Sequence, residues 1–179
     1  MADGQVPASS TDPLVIGTRE LDALWQMAGW DDFETRAGAA LRELGLPGVG
    51  SYRAAQSAGS VTRWRIAPDR LLVEGVGDLG RFHSDEFVLL DLSHARSVIT
   101  LSGPPARDVL SLLTAVDVSA AAFLPGQFLQ VGIHGIGVLL ACLGPEDFEL
   151  FVPATWAVSI QELILDNAKP YGVRTRQLE

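Results

Sequence analysis

The hydrophobic pattern of this chain changes period at Ser60. Upstream, apolar residues recur three or four positions apart, as on one helix face. Downstream they alternate or form short blocks bounded by Gly, Pro and Asp, as in strands. Residues 61–66, Val-Thr-Arg-Trp-Arg-Ile, put Trp64 and Ile66 on one face. Residues 67–70, Ala-Pro-Asp-Arg, are turn chemistry, and residues 71–74 return as a second strand. Residues 87–92, 98–101, 128–131, 137–143 and 148–152 read as further strands. Gly103-Pro104-Pro105 opens a helix carrying Val109, Leu110 and Leu113. Pro153 closes the last strand, and Thr155 is expected to cap a helix running through Ile160, Leu163 and Ile164 to about Asn167. This order predicts an α+β fold, a mixed and mostly antiparallel sheet with helices covering one side.

The front of the chain reads differently. Residues 1–16 are expected to be a flexible tail rich in Ser, Pro, Asp and Gly, leaving residues 17–179 as a single α+β domain. Thr18 would cap a helix with Leu21, Leu24, Trp25 and Ala28 on one face, ended by Gly29. A second helix over residues 32–44 would bury Phe33, Ala37, Leu41 and Leu44, with Gly45 and Pro47 stopping it.

Composition excludes several functions. Net charge is −9, from 13 basic and 22 acidic residues, and Lys169 is the only lysine. No Lys or Arg occurs between Arg107 and Lys169, so residues 108–168 offer no cation to a phosphate backbone or an anionic membrane. Nucleic acid and membrane partners are therefore not expected. Residues 1–12 hold neither a basic residue nor an apolar run, which points away from a signal peptide and towards the cytoplasm. The single cysteine, Cys142, sits in an apolar strand and reads as core, not nucleophile. His83, His94 and His134 match no metal-ligand spacing. Gly132, Gly135 and Gly137 lie between two strands and read as a turn, not as a dinucleotide site. Ser93-His94 reads as a loop after a strand, and Asp85-Glu86 and Glu146-Asp147 as solvated loop charge. No catalytic, cofactor-binding or metal residue is assigned on this chain. With 47% hydrophobic residues and a mean hydropathy of +0.23, the chain has either a well-filled core or an apolar surface awaiting a partner.

Several strings in order resemble a known family. Asp91-Leu92-Ser93-His94 is followed by Val98-Ile99-Thr100-Leu101-Ser102-Gly103-Pro104, Ala106, Leu110 and Asp117. Phe123-Leu124-Pro125-Gly126-Gln127 and Phe148-Glu149-Leu150-Phe151-Val152 come next. Together they resemble the glycine-cleavage T-protein folate-binding fold. Within that superfamily, Leu44-Gly45-Leu46-Pro47 and the run from Trp64-Arg65-Ile66-Ala67 to Pro68-Asp69-Arg70-Leu71-Leu72-Val73 resemble the sarcosine oxidase gamma subunit family, over residues 41–168. The resemblance implies a gamma-subunit-like domain that is a noncatalytic accessory subunit of a heterotetrameric sarcosine oxidase, whose complex demethylates sarcosine oxidatively to glycine, or of a related N-methyl amino acid oxidoreductase. It implies alpha, beta and delta partner subunits. The complex would use FAD, FMN, NAD and tetrahydrofolate, with zinc on the delta subunit.

Where active T-proteins carry an acidic pair after a glycine turn, this chain has Gly137-Val138-Leu139-Leu140-Ala141-Cys142. A proton-handling carboxylate cannot be replaced by leucine. The tRNA-modification-linked relatives carry a cysteine just before a Gly-Gln pair; here Leu124-Pro125 precedes Gly126-Gln127. The alternative is a free-standing folate-binding protein or aminomethyltransferase-like one-carbon transferase, and a third reading is a structural domain without such partners. An accessory subunit should bury at least about 1,200 Å² against its partner. Arg63, Arg65 and Arg96 are the expected rim of that interface.

The isolated chain should bind neither flavin nor NAD, because no glycine-rich turn joins a strand to a helix. Absorbance of the purified chain checks this: a stoichiometric yellow chromophore would contradict it.

Overall fold

The computed structural model describes residues 13–177 except Asp22, Asp31, Pro47, His83, Ser84 and Glu86. In order, the described residues form β1 (Leu14–Arg19), β2 (Leu24–Gly29), α1 (Phe33–Glu43), β3 (Gln56–Ala58), β4 (Val61–Ala67), β5 (Arg70–Glu74), β6 (Phe87–Asp91) and β7 (Arg96–Ser102). They continue with α2 (Ala106–Leu113), β8 (Phe128–Ile133), β9 (Ile136–Cys142), β10 (Asp147–Pro153), α3 (Ala157–Ala168) and β11 (Val173–Gln177). The class is α+β and the pairing antiparallel throughout, except for β1 with β11.

The strands divide into two sheets. One has the order β11-β1-β7-β10-β9-β8 and the other β3-β4-β5-β2-β6. Side-chain alternation sorts their residues into three cores. Leu140 and Leu150, paired across β9 and β10, face α2 and α3 together with Ile99, Val109 and Ile164. The opposite faces of the same strands supply Leu139, Ala141 and Phe151, which meet Leu24, Trp64 and Leu72 of the five-stranded sheet. The far face of that second sheet packs Met27, Leu71 and Val73 under Phe33, Ala37 and Leu41 of α1. The layers therefore run helix, sheet, sheet, helices. Trp64 is 3% exposed and meets the Phe151 ring edge-on at 5.0 Å, which fixes the spacing between the sheets. Being covered on both sides, β9 reads Val-Leu-Leu-Ala-Cys without a polar interruption.

The front of the chain departs from the sequence expectation. Leu14 and Ile16, assigned to a tail, are fully buried in β1, and residues 1–12 lie outside the described residues. The helix expected from Thr18 to Ala28 is instead the end of β1 followed by β2. Its three-to-four spacing arises because β2 is covered on both faces. Leu24 turns into the space between the sheets, while Trp25 and Met27 turn towards α1. Thr155 lies in a short 3-10 turn before α3 and makes no side-chain cap.

Other expectations hold locally. Residues Ile133 and Ile136 close the β8–β9 hairpin through His134 and Gly135, with φ of 48° and 81°. Two positive φ values in a two-residue loop match the right-handed strand twist, and Gly meets that demand at no steric cost. Pro47 lies outside the described residues.

Leu140 is 1% exposed among α2 and α3 side chains. Leu140→Ala should cost about 2–5 kcal/mol in urea unfolding, the cost of a cavity in a packed core. A loss below about 0.5 kcal/mol is what an exposed position gives.

Candidate functional site

At one end of the space between the sheets lies a cleft of about 570 Å³. Its charged lining is Arg19 from the end of β1, Glu74 from the end of β5 and Glu149 from β10. Alternation turns Arg19 and Glu149 inward from one sheet and Glu74 inward from the other. Arg19 Nε and Nη2 donate to Glu149 at 2.8 and 2.7 Å, and Nη1 and Nη2 donate to Glu74 at 2.6 and 3.4 Å. A further bond from Nη1 reaches the Glu20 carbonyl at 3.2 Å. All five N–H groups of the guanidinium are thus accounted for. Burial opposes its charge, but the hydrogen bonds it donates to Glu149 and Glu74 outweigh that and raise its pKa above the ordinary range. The guanidinium therefore ties the two sheets together and keeps no donor for an anionic ligand.

The rest of the lining is small or neutral, including Ser57, Thr62, Gly126 and Gln127. Gln127 Oε1 accepts from the Leu124 amide at 2.9 Å, and the Ser57 and Thr62 hydroxyls meet at 2.9 Å. Cys142 also lines the cleft but is 1% exposed. Burial pushes its thiol pKa up despite Arg107 Nη2 at 3.7 Å, so it stays a protonated core residue. Arg107 is itself engaged, donating to the carbonyls of Pro145, Val118 and Phe123 at 2.8, 2.6 and 3.1 Å.

The three arginines expected at an interface rim lie in different places. Arg63 is fully buried, so it presents nothing to a partner. Its side chain lies on the face of β4 opposite Trp64 and donates to the Val49 carbonyl and to Gln56. That face is not solvent, because α1 and the segment before β3 cover it. Burial, then the charge of Arg65, pulls the Arg63 pKa down to about 10. Gly50, at φ +72°, lies beside it, and a larger residue there would be strained by that backbone conformation and would crowd the Arg63 guanidinium. Arg65 is largely covered, stacked 4.5 Å over the Tyr52 ring and 3.3 Å from Glu34 and from the Gly50 and Pro68 carbonyls. Arg96 is half-buried beside a small groove of about 160 Å³ near Ile66, Leu72 and Phe151.

The other sequence candidates stay apart. His94 and His134 are exposed in separate turns, and His83 and Glu86 lie outside the described residues. Ser93 Oγ donates to Asp91 at 2.6 Å and accepts from the Leu24 amide at 3.0 Å, which makes it a strand-end clasp. Among the described residues, no group of three His, Cys, Asp or Glu could hold a metal. Sequence reasoning missed Arg19, Glu74 and Glu149. The available signal was Glu149 itself, a carboxylate inside the otherwise apolar Phe148-Glu149-Leu150-Phe151-Val152.

Arg19→Met leaves two carboxylates from opposite sheets facing each other without a counter-charge. It should destabilise the chain by about 1–3 kcal/mol, less than a fully buried pair because Arg19 is part-exposed. Adding Glu74→Gln and Glu149→Gln should recover much of the loss in thermal unfolding. A loss unchanged by those additions would assign Arg19 a packing role only.

No protein-family model matches the chain. An aminomethyltransferase of Thermoanaerobacter pseudethanolicus (strain ATCC 33223 / 39E) is 30% identical over 92 residues, 50% of this chain and 25% of that protein. One from Geobacillus sp. (strain WCH70) is 33% identical over 88 residues, 48% of this chain and 24% of that protein. The chain thus spans about a quarter of the length of the curated relatives it matches. Among solved structures, a chain of heterotetrameric sarcosine oxidase from Corynebacterium sp. U-96, in complex with pyrrole 2-carboxylate, superposes with a TM-score of 0.77 at 18% identity. That match covers 90% of this chain and 86% of the other. The glycine cleavage system aminomethyltransferase T from Bartonella henselae superposes with a TM-score of 0.60 at 17% identity, covering 91% of this chain and 47% of that one. The mostly antiparallel two-sheet arrangement is the one these neighbours share, so the chain has the same fold as they do.

Proposed function

We propose that this chain is a noncatalytic accessory subunit of a heterotetrameric sarcosine oxidase or a related N-methyl amino acid oxidoreductase. The observation that carries the reading is the state of the cleft. Its two carboxylates are both engaged by Arg19, Arg19 has no donor left, and the thiol beside them is buried and protonated. A one-carbon transferase needs a positioned acid or base at the reacting amine. A folate's glutamate tail needs an open cation, and Arg19 is the one cationic side chain of the cleft among the described residues. The lining therefore does not fit folate chemistry. The match over 86% of a chain from an assembled sarcosine oxidase supports the subunit reading, since the aminomethyltransferase neighbour is matched over less than half its length. On this reading the chain binds no cofactor. FAD, FMN, NAD and tetrahydrofolate belong to the alpha and beta subunits and zinc to the delta subunit, in a cytoplasmic complex that oxidises sarcosine to glycine. No helix among the described residues is long and apolar enough to cross a membrane.

A second reading, a free-standing folate-binding protein or aminomethyltransferase-like one-carbon transferase, is favoured by the sequence identity to aminomethyltransferases and by the size of the cleft.

Coexpression with the flavin-bearing chains of a sarcosine oxidase from the same organism separates the two. The accessory subunit should coelute with them in gel filtration, and tetrahydrofolate added to about 1 mM should give no saturable heat with the isolated chain. A monomer that ignores those chains and saturates with tetrahydrofolate would establish the second reading.

A further inference from the structure

The five-stranded sheet ends on β6, and no described strand pairs with its outer edge. Monomers normally blunt such an edge with Lys, Pro or a bulge, yet β6 reads Phe-Val-Leu-Leu-Asp and contains neither residue. Val88 is 52% exposed and Leu90 51%. Register places Leu90 in a row with Gln26 and Leu72, and Val88 in a row with Ala28 and Arg70. Leu72 is buried between the sheets whereas Leu90 is open, so the six-stranded sheet stops short of β6. At the neighbouring end of β2, Trp30 is 66% exposed and shares a groove of about 340 Å³ with Phe87 and Val88. An open strand edge, two alternate apolar side chains and an exposed indole thus lie side by side.

Charge decides what can cover them. Asp85 and Asp91 bracket the strand and both are exposed. Between Arg81 and Arg96 the sequence has Asp85, Glu86 and Asp91 and no Lys or Arg. Hydrogen bonds from Ser93 hold the Asp91 carboxyl below its ordinary pKa, so it is anionic at neutral pH. Arg70, in the Val88 row, is paired with Asp69 at 3.8 Å. Antiparallel pairing of β6 with β6 of a second copy would bring the Asp85 end of one strand to the Asp91 end of the other. Like charges directly opposite destabilise a strand pair, and each copy has a net charge of −9. The complementary occupant is a strand whose apolar residues are flanked by Lys or Arg.

We propose that the β6 edge is the docking site for an extended segment of a different protein chain. That segment adds a strand beside β6, sets alternate apolar side chains on Val88, Leu90 and Trp30, and places basic residues against Asp85 and Asp91. Main-chain hydrogen bonds supply affinity in this mode and the alternate side chains supply specificity. The inference rests on the accessory-subunit reading and names where that subunit meets its partner.

Amide hydrogen exchange on the free chain, and on its complex with the flavin-bearing sarcosine oxidase chains, tests it. The outward-facing amides of β6, those not bonded to β2, should exchange readily in the free chain and slow by about tenfold or more in the complex. Val88→Glu and Leu90→Glu should each weaken the complex on the order of tenfold, and Val158→Glu, on α3, should not. Raising salt from about 50 to about 500 mM should weaken it too. A wild-type complex with unprotected β6 amides and undiminished binding by both variants would overturn this docking site and leave the accessory reading standing. Absence of any complex with the wild-type chain removes the accessory reading and this site together. Concentration-dependent protection of β6 in the free chain would overturn it in favour of a second copy.

Discussion

Arg19 is where the two sheets are held at a fixed separation. Its guanidinium receives Glu149 from its own sheet and Glu74 from the opposite one. It also lies 5.7 Å from the centroid of Phe151, whose ring meets Trp64 across the same space. The polar clamp and the apolar inter-sheet core are therefore adjacent parts of one contact. A planar group with five donors along two edges can pair with both carboxylates and still reach the Glu20 carbonyl, which the three donors of a lysine could not match. Because the clamp satisfies both carboxylates, the space beside it is an open cleft with its acid–base chemistry already used structurally. The same interaction that orders the layers thus occupies both carboxylates of the cleft.

Arg63 does comparable work on the other face of the five-stranded sheet, without a carboxylate. With its pKa at about 10 it remains charged at neutral pH while fully buried, so its charge is met by dipoles. The Val49 carbonyl and the Gln56 side chain supply them, which fixes a segment that lacks regular structure. That segment in turn reaches the six-stranded sheet: Phe128 N donates to Arg53 O at 2.8 Å and Ala55 N donates to Gly126 O at 2.9 Å. Ala55 and Gly126 both line the cleft. A buried cation on one face of β4 therefore helps shape the cleft wall on the other.

How much of this was legible in the sequence depended on whether a strand had one distinguishable face. β4, β5 and β7 to β10 could be read because alternation or an uninterrupted apolar run marks them. β2 could not, because Leu24 and Met27 serve different cores and their spacing mimics a helix. β11 has Val173 as its one apolar residue and is held by parallel pairing with β1, a relation that no local pattern encodes. Alternation correctly set Trp64 and Ile66 opposite Arg63 and Arg65, but it could not say that α1 would cover the arginine face. Period two assigns faces; it does not assign what lies against them. The same limit hid the cleft, since Glu149 is conspicuous in its strand while Arg19 lies 130 residues away.

The distribution of cations sharpens the consequence of the acidic composition. Residues 108–168, without Lys or Arg, build α2 beyond Arg107, β8 to β10 and α3, and the sheet strands among them are largely buried, where an unpaired charge is costly. Several of the arginines that do exist are turned inward. Arg19 is bound to carboxylates, Arg63 to a carbonyl and an amide, Arg65 to carbonyls, Glu34 and an aromatic face, and Arg107 to three carbonyls and the Phe148 ring. The acids meanwhile stay largely outside, as at Asp85, Asp91 and Asp117. The surface is consequently somewhat more negative than a formal charge of −9 alone conveys, because these four arginines are withdrawn into the fold against the two carboxylates Glu74 and Glu149. Such a surface repels its own copies and raises the encounter rate with a basic partner, an effect that fades with salt. The internal arginines that make this fold stable are thus also what give its exterior a preference among partners.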